Sequence, residues 1–144
     1  MRIYTVGHSS RELSEFIALP KSHGIELLVD VRSFPKSSRF PHFNRAQLES
    51  VLRKEGIDYL HIPELGGLRK EGYLNYIRTE EFKEALEELM SLSTNRKTAI
   101  MCAERNWREC HRRFIAEELV KREVEVVHIL DGKRIEEHPK HIFL

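Results

Sequence analysis

Cysteine is scarce in this chain, with two among 144 residues, at positions 102 and 110. That is too few for the disulfide framework of a small secreted domain. Asparagine and glutamine together number five, while charged residues make up 33%. This balance points to a thermophilic origin, the setting in which an intracellular disulfide would be ordinary. No apolar run approaches the roughly 20 residues that cross a bilayer. The opening MRIYTVGHSS lacks the apolar stretch and cleavage site of a secretory signal. A cytoplasmic protein without a membrane partner is the expectation. An excess of one charge sign is also missing, and a net charge of +1 excludes the broad positive field of a protein that coats nucleic acid. Repeats, low-complexity tracts and linkers are absent. Residues 1–144 are therefore read as one domain, long enough to bury about two thirds of its unfolded surface without staples.

What is present is an alternation of two periods. RIYTV (2–6) reads as a strand ending at Gly7 and His8. Ser9 with Glu12 has capping-box spacing ahead of the helical repeat Leu13, Phe16, Ile17, which Pro20 should kink or stop. IELLVDV (25–31) is nearly all apolar, as in a parallel strand buried on both faces. After a basic loop, Asn44 should cap a helix carrying Leu48, Val51 and Leu52, with Gly56 at its end. IDYLHI (57–62) is a third strand, and 63–78 reads as a long irregular connection. Thr79 should cap a helix with the stripe Phe82, Ala85, Leu86, Leu89, Met90. KTAIMC (97–102) and VEVVHIL (124–130) are two more strands with a helix between them. Asp131-Gly132 then signals a hairpin returning through KRIEEH. This order predicts a three-layer α/β sandwich whose sheet is mostly parallel, with a short antiparallel edge strand near the C-terminus.

In such sheets ligands bind beyond the carboxyl ends of the strands. The residues there are His8 and Ser9, then Asp30 and Arg32, then the turn holding Gly66 and Gly67, then Cys102 and Glu104, with Cys110, His111 and Arg112 opening the next helix. TVGHSS, LLVDVRSFPKSSRFPHFN, YLHIPELGG and MCAERNWRECHRRFIAEEL stand in this order along nearly the whole chain. With these four motifs the chain resembles the domain of unknown function 488 family. The resemblance implies the α/β fold and a site at the strand ends, and it brings no assigned reaction. One departure from the family is Asn106-Trp107, in a loop where a proline is common.

Three chemistries compete at this site. A thiol nucleophile at Cys102 would face a helix N-terminus and nearby arginines. CAERNWR has the Cys-x5-Arg spacing of phosphatase-like loops, and LLVDVR is similar to a strand of rhodanese-like domains. Those loops use glycine to converge backbone N–H groups on an anion, and residues 103–109 contain none. Cys102, Cys110, His111 and His8 supply enough ligands for zinc, but without the short Cys-x2-4-Cys spacing of structural sites. No metal or cofactor is therefore assigned. A reversible disulfide between Cys102 and Cys110 is a comparable alternative, since a strand end and the following helix start can lie within bonding range. Neither outranks two free thiols, with Cys102 a small core residue at a strand end.

The favoured expectation is an anion site. Arg32 and Arg112 would hold a phosphate-bearing small molecule or nucleotide. His8 or His111 would move a proton, and Asp30 or Glu104 would orient that histidine or act as base, for hydrolysis or group transfer. The competing bland reading is a buried charge network among Asp30, Arg32, Glu104 and Arg112. In the loop 32–45, Phe34, Phe40 and Phe43 alternate with Arg32, Lys36, Arg39 and Arg45. That pattern suits a single-stranded nucleic acid, or a small core under the loop. The closing Ile142, Phe143 and Leu144 would dock on the domain or on a second subunit in a homodimer.

Overall fold

The computed structural model describes residues 1–140, so the expected docking of the last three residues lies outside the described residues. Within these residues six strands form one sheet: β1 (Arg2–Gly7), β2 (Leu27–Asp30), β3 (Asp58–His61), β4 (Thr98–Cys102), β5 (Glu125–Asp131) and β6 (Arg134–Glu137). Their order is β3-β2-β4-β1-β5-β6. All neighbours run parallel except β5 and β6, which form the expected antiparallel hairpin. Gly132 takes a positive φ of 49° in that turn, a conformation glycine adopts without steric cost.

Among the described residues five helices connect the strands: α1 (Leu13–Ser22), α2 (Arg45–Lys54), the single turn α3 (Tyr73–Tyr76), α4 (Glu80–Ser93) and α5 (Arg112–Lys121). Successive strand residues face opposite ways, so the sheet divides the core in two. Tyr4, Val6, Leu28, Ala99 and Met101 pack with Phe16 of α1 and with Leu48 and Leu52 of α2. Ile3, Val29, Ile100 and Cys102 pack with Leu86 of α4 and with Ile115 and Leu119 of α5. This is the three-layer α/β sandwich. Phe82, Leu86 and Leu89 of α4 are fully buried, and each contributes about 1.5–3 kcal/mol by leaving water. No helix among the described residues is long and apolar enough to cross a membrane.

Local readings need three corrections, each with a physical cause. Ser9 and Glu12 form no capping box, and Glu12 itself is the N-cap without a side-chain bond. The N–H groups of His8 and Ser9 donate to the carbonyls of Cys102 and Ala103, at 2.9 Å each, which extends the β1–β4 ladder and holds Ser9 away from the helix start. Asn44 stands at the N-cap of α2, but its Oδ1 accepts from the Ser37 N–H at 2.6 Å and pins the basic loop instead. The stop expected at Pro20 needs no correction, since α1 ends shortly after it at Ser22. The connection 63–78 is ordered by a 3-10 turn (Pro63–Leu65) and by α3. Its Tyr73 and Tyr76 hydroxyls donate to the Leu65 and Glu64 carbonyls at 3.0 and 2.7 Å. Thr79 caps α4 as expected, accepting from the Phe82 N–H at 3.2 Å.

Candidate thiol site at the strand ends

Connections leaving β1 and β2 cover one face of the sheet, and those leaving β3 and β4 cover the other. Since β4 lies between β2 and β1, the chain departs in opposite directions around its carboxyl end. That is the switch point at which α/β sheets form their sites. His8, Asp30, Arg32, Cys102, Cys110, His111 and Arg112 all converge there, in two groups.

The first group is a closed ion pair. Asp30 is fully buried at the end of β2, and Arg32 is 6% exposed. Arg32 donates from its Nε and Nη2 to the two Asp30 oxygens at 3.0 and 2.7 Å. Asp30 also accepts from the Arg32 backbone N–H at 3.0 Å and from the Tyr59 hydroxyl at 2.5 Å. With four donors on one carboxylate, this fork is a strong buried pair rather than a free base. Nη1 of Arg32 faces His8 Nε2 at 3.5 Å. His8 donates from Nδ1 to the Ser9 carbonyl at 2.9 Å and stacks on Phe43, with ring centroids 4.3 Å apart. Burial holds the His8 pKa down to about 4, with Arg32 adding to the effect. The ring is therefore neutral, with Nε2 as its acceptor.

The second group is built on sulfur. Cys102 ends β4 and is 1% exposed, while Cys110 is 8% exposed. Their Sγ atoms are 2.7 Å apart. A 3-10 turn (Trp107–Glu109) folds the intervening loop back to bring them together. The His111 ring approaches Cys110, with Nδ1 3.5 Å from Sγ. Adjacent residues diverge within a helix, but Cys110 is extended (φ −126°, ψ 153°) just before α5, so that rule does not reach it. His111 donates from Nε2 to the Val31 carbonyl at 2.8 Å. This fixes Nδ1 as the nitrogen that serves Cys110, the arrangement of an activated nucleophile with an oriented base. The hydrogen bond from Cys102 lowers the Cys110 pKa below the ordinary thiol range, with His111 and Arg112 adding, whereas burial raises that of Cys102.

Arg112 is 1% exposed. It donates to Thr5 Oγ1 at 3.0 Å and to the carbonyls of Glu104 and Arg105 at 2.9 and 3.3 Å. These bonds clamp the start of the loop between the cysteines. A Cβ on Gly7 would lie 1.8 Å from the Glu104 carbonyl oxygen, so only glycine allows that loop to cross β1.

The remaining predicted residues take other places. Glu104 contributes its carbonyl, and its side chain is exposed. Ser9 is half-buried and serves through its backbone. Gly66 and Gly67 pack against Ser33 and the His111 ring, where a Cβ would come within 2.9 Å or less. Arg39 points outward over Phe40. Phe34 is 63% exposed, whereas Phe43 is core. Among the described residues no three His, Cys, Asp or Glu side chains are placed to hold a metal ion. Sequence reasoning missed Tyr59, Thr5, His128 and His138. A histidine inside the apolar run VEVVHIL was the available signal for His128.

Fold and site together define an α/β sandwich with a pair of cysteines at the switch point of its sheet. Residues 12–119 match the family described as Domain of unknown function DUF488. The chain belongs to this family. The match takes in both cysteines, His111, Arg112, Asp30 and Arg32, and it stops short of His8 and His128. Comparison with curated proteins and with solved structures gives no match.

Proposed function

We propose that the protein carries out thiol–disulfide exchange through Cys110 and Cys102. The observation that carries this reading is the 2.7 Å separation of the two sulfurs beside a histidine whose tautomer is set by a carbonyl. Cys110 is the more exposed sulfur and the attacking one, and His111 Nδ1 takes its proton as it attacks. It attacks one sulfur of a small disulfide, the S–S bond breaks, and the departing thiolate takes the proton from His111. Cys102 then attacks the Cys110 sulfur of the mixed disulfide and releases the second thiolate, which takes the Cys102 proton. The disulfide substrate is reduced to two thiols and the protein pair is oxidised to one disulfide.

The arginines support this reading over that of a phosphate site. Nε and Nη2 of Arg32 are engaged by Asp30, and both Nη atoms of Arg112 by Thr5 and two carbonyls, so neither of these two side chains presents a free pair of Nη donors to an incoming phosphate. The test is a redox titration of the full chain in mixtures of reduced and oxidised dithiothreitol, followed by mass spectrometry. Loss of two hydrogens in one transition, with Cys102 and Cys110 linked, is expected. Two alkylatable thiols under all conditions would remove the reading.

A second reading rests on Phe34, which stands exposed among the exposed cations Lys36 and Arg39. It makes the loop a stacking platform for a single strand. Salt-sensitive binding of a short oligonucleotide that is lost in Phe34→Ala would support it; no binding at low salt would end it.

A further inference from the structure

Behind the thiol site runs a buried chain of hydrogen bonds that the exchange reaction does not itself use. Thr5 on β1 and His128 on β5 are register partners, both fully buried. Thr5 Oγ1 lies 2.6 Å from His128 Nδ1, His128 Nε2 lies 2.8 Å from His138 Nδ1, and His138 Nε2 lies 2.7 Å from Glu117 Oε1 on α5. At the inner end Arg112 donates to the same Thr5 oxygen at 3.0 Å.

The two ends have fixed roles, since a guanidinium only donates and a carboxylate only accepts. Thr5 Oγ1 accepts from Arg112, and His138 donates from Nε2 to Glu117. Burial drives the His128 pKa far down, with His138 and Arg112 adding to the effect. Glu136 and Arg108 also face this ring.

The same ring reaches the thiol loop by a second route. Trp107, which lies between the two cysteines, stacks flat on His128, with centroids 4.0 Å apart and planes 5° apart. The loop is thus held twice, by Arg112 on the Glu104 and Arg105 carbonyls and by the indole on His128.

We propose that Thr5 and His128 are positioning residues for the thiol pair: through a hydrogen-bond chain that runs to Glu117, they hold the Arg112 guanidinium and the Cys102-to-Cys110 loop where Cys110 is activated. This inference rests on the exchange reading above. It adds that the reactivity of Cys110 depends on a hydroxyl and an imidazole that touch neither sulfur nor substrate.

The experiment follows iodoacetamide alkylation of Cys110 in the reduced full chain as a function of pH, with peptide mapping. Wild-type Cys110 should titrate below the ordinary thiol range. Thr5→Val keeps the shape of the side chain and removes the hydroxyl. It should move the midpoint up by about one pH unit, roughly a tenfold loss of rate on the acid side, and Thr5→Ser should restore the wild-type profile. If Thr5→Val does not fold, Glu117→Ala removes the terminal acceptor at the half-buried end and should shift the midpoint in the same direction. A depressed wild-type midpoint that these variants leave in place overturns the positioning role alone. A wild-type midpoint in the ordinary thiol range overturns the exchange reading and this inference with it.

Discussion

Cys102 and Cys110 bring their sulfur atoms to 2.7 Å across the loop that joins β4 to α5. Closing this short loop covalently restricts the unfolded chain. By the loop-entropy relation the oxidised protein should be about 2.5 kcal/mol more stable than the reduced one. Urea unfolding with and without a reductant measures this difference. The difference should vanish in Cys102→Ser, and equal midpoints in the wild type would count against a linkable pair.

Among the described residues, Asp30 is the only carboxylate bonded to the buried Arg32. Asp30→Asn keeps the shape and leaves the guanidinium without a counter-charge, so a loss of about 3–5 kcal/mol is expected in denaturant unfolding. A loss below about 1 kcal/mol would mean that Arg32 finds water or another acceptor.

Gly7 tests the packing of the thiol loop on β1. With the Glu104 carbonyl oxygen 1.8 Å from where a Cβ would sit, Gly7→Ala should destabilise by about 3 kcal/mol or more. Because the displaced segment carries the Arg112 clamp, alkylation of Cys110 should slow as well. A variant with wild-type stability would show that the loop moves freely.

His8 gives stability a defined pH dependence. Its folded pKa of about 4 lies below the ordinary value of about 6.5, so between these values the unfolded chain binds more protons and stability rises with pH. The contribution is fully present above about pH 6.5 and is lost as pH falls toward 4, an effect of about 3 kcal/mol. His8→Asn should flatten that part of the curve in urea titrations across this range. An unchanged slope would place the acid sensitivity in His128 and its neighbours.

The layers of this fold were legible because strand and helix periods alternate without ambiguity, and each strand end named its own candidates. What could not be read was which charges meet. Asp30 and Arg32 lie two apart and were open to pairing with Glu104 and Arg112, but the turn after β2 brings the Arg32 fork back onto its own strand. Arg112 instead meets Thr5, a residue more than a hundred positions away in sequence, and only the β4-β1-β5 order places them side by side. Within a helix His111 would turn from Cys110. The extended backbone at Cys110 turns it back, a feature set by the 3-10 turn at Trp107 rather than by any propensity of Cys or His.

The most direct measurement exposes reduced wild type and Cys102→Ser to glutathione disulfide, quenches with acid, and maps the modified sulfur by mass spectrometry. The account predicts an internal Cys102–Cys110 disulfide in the wild type and a stable mixed disulfide on Cys110 in Cys102→Ser. A wild type that remains a dithiol, or a variant that stays unmodified at Cys110, would contradict it.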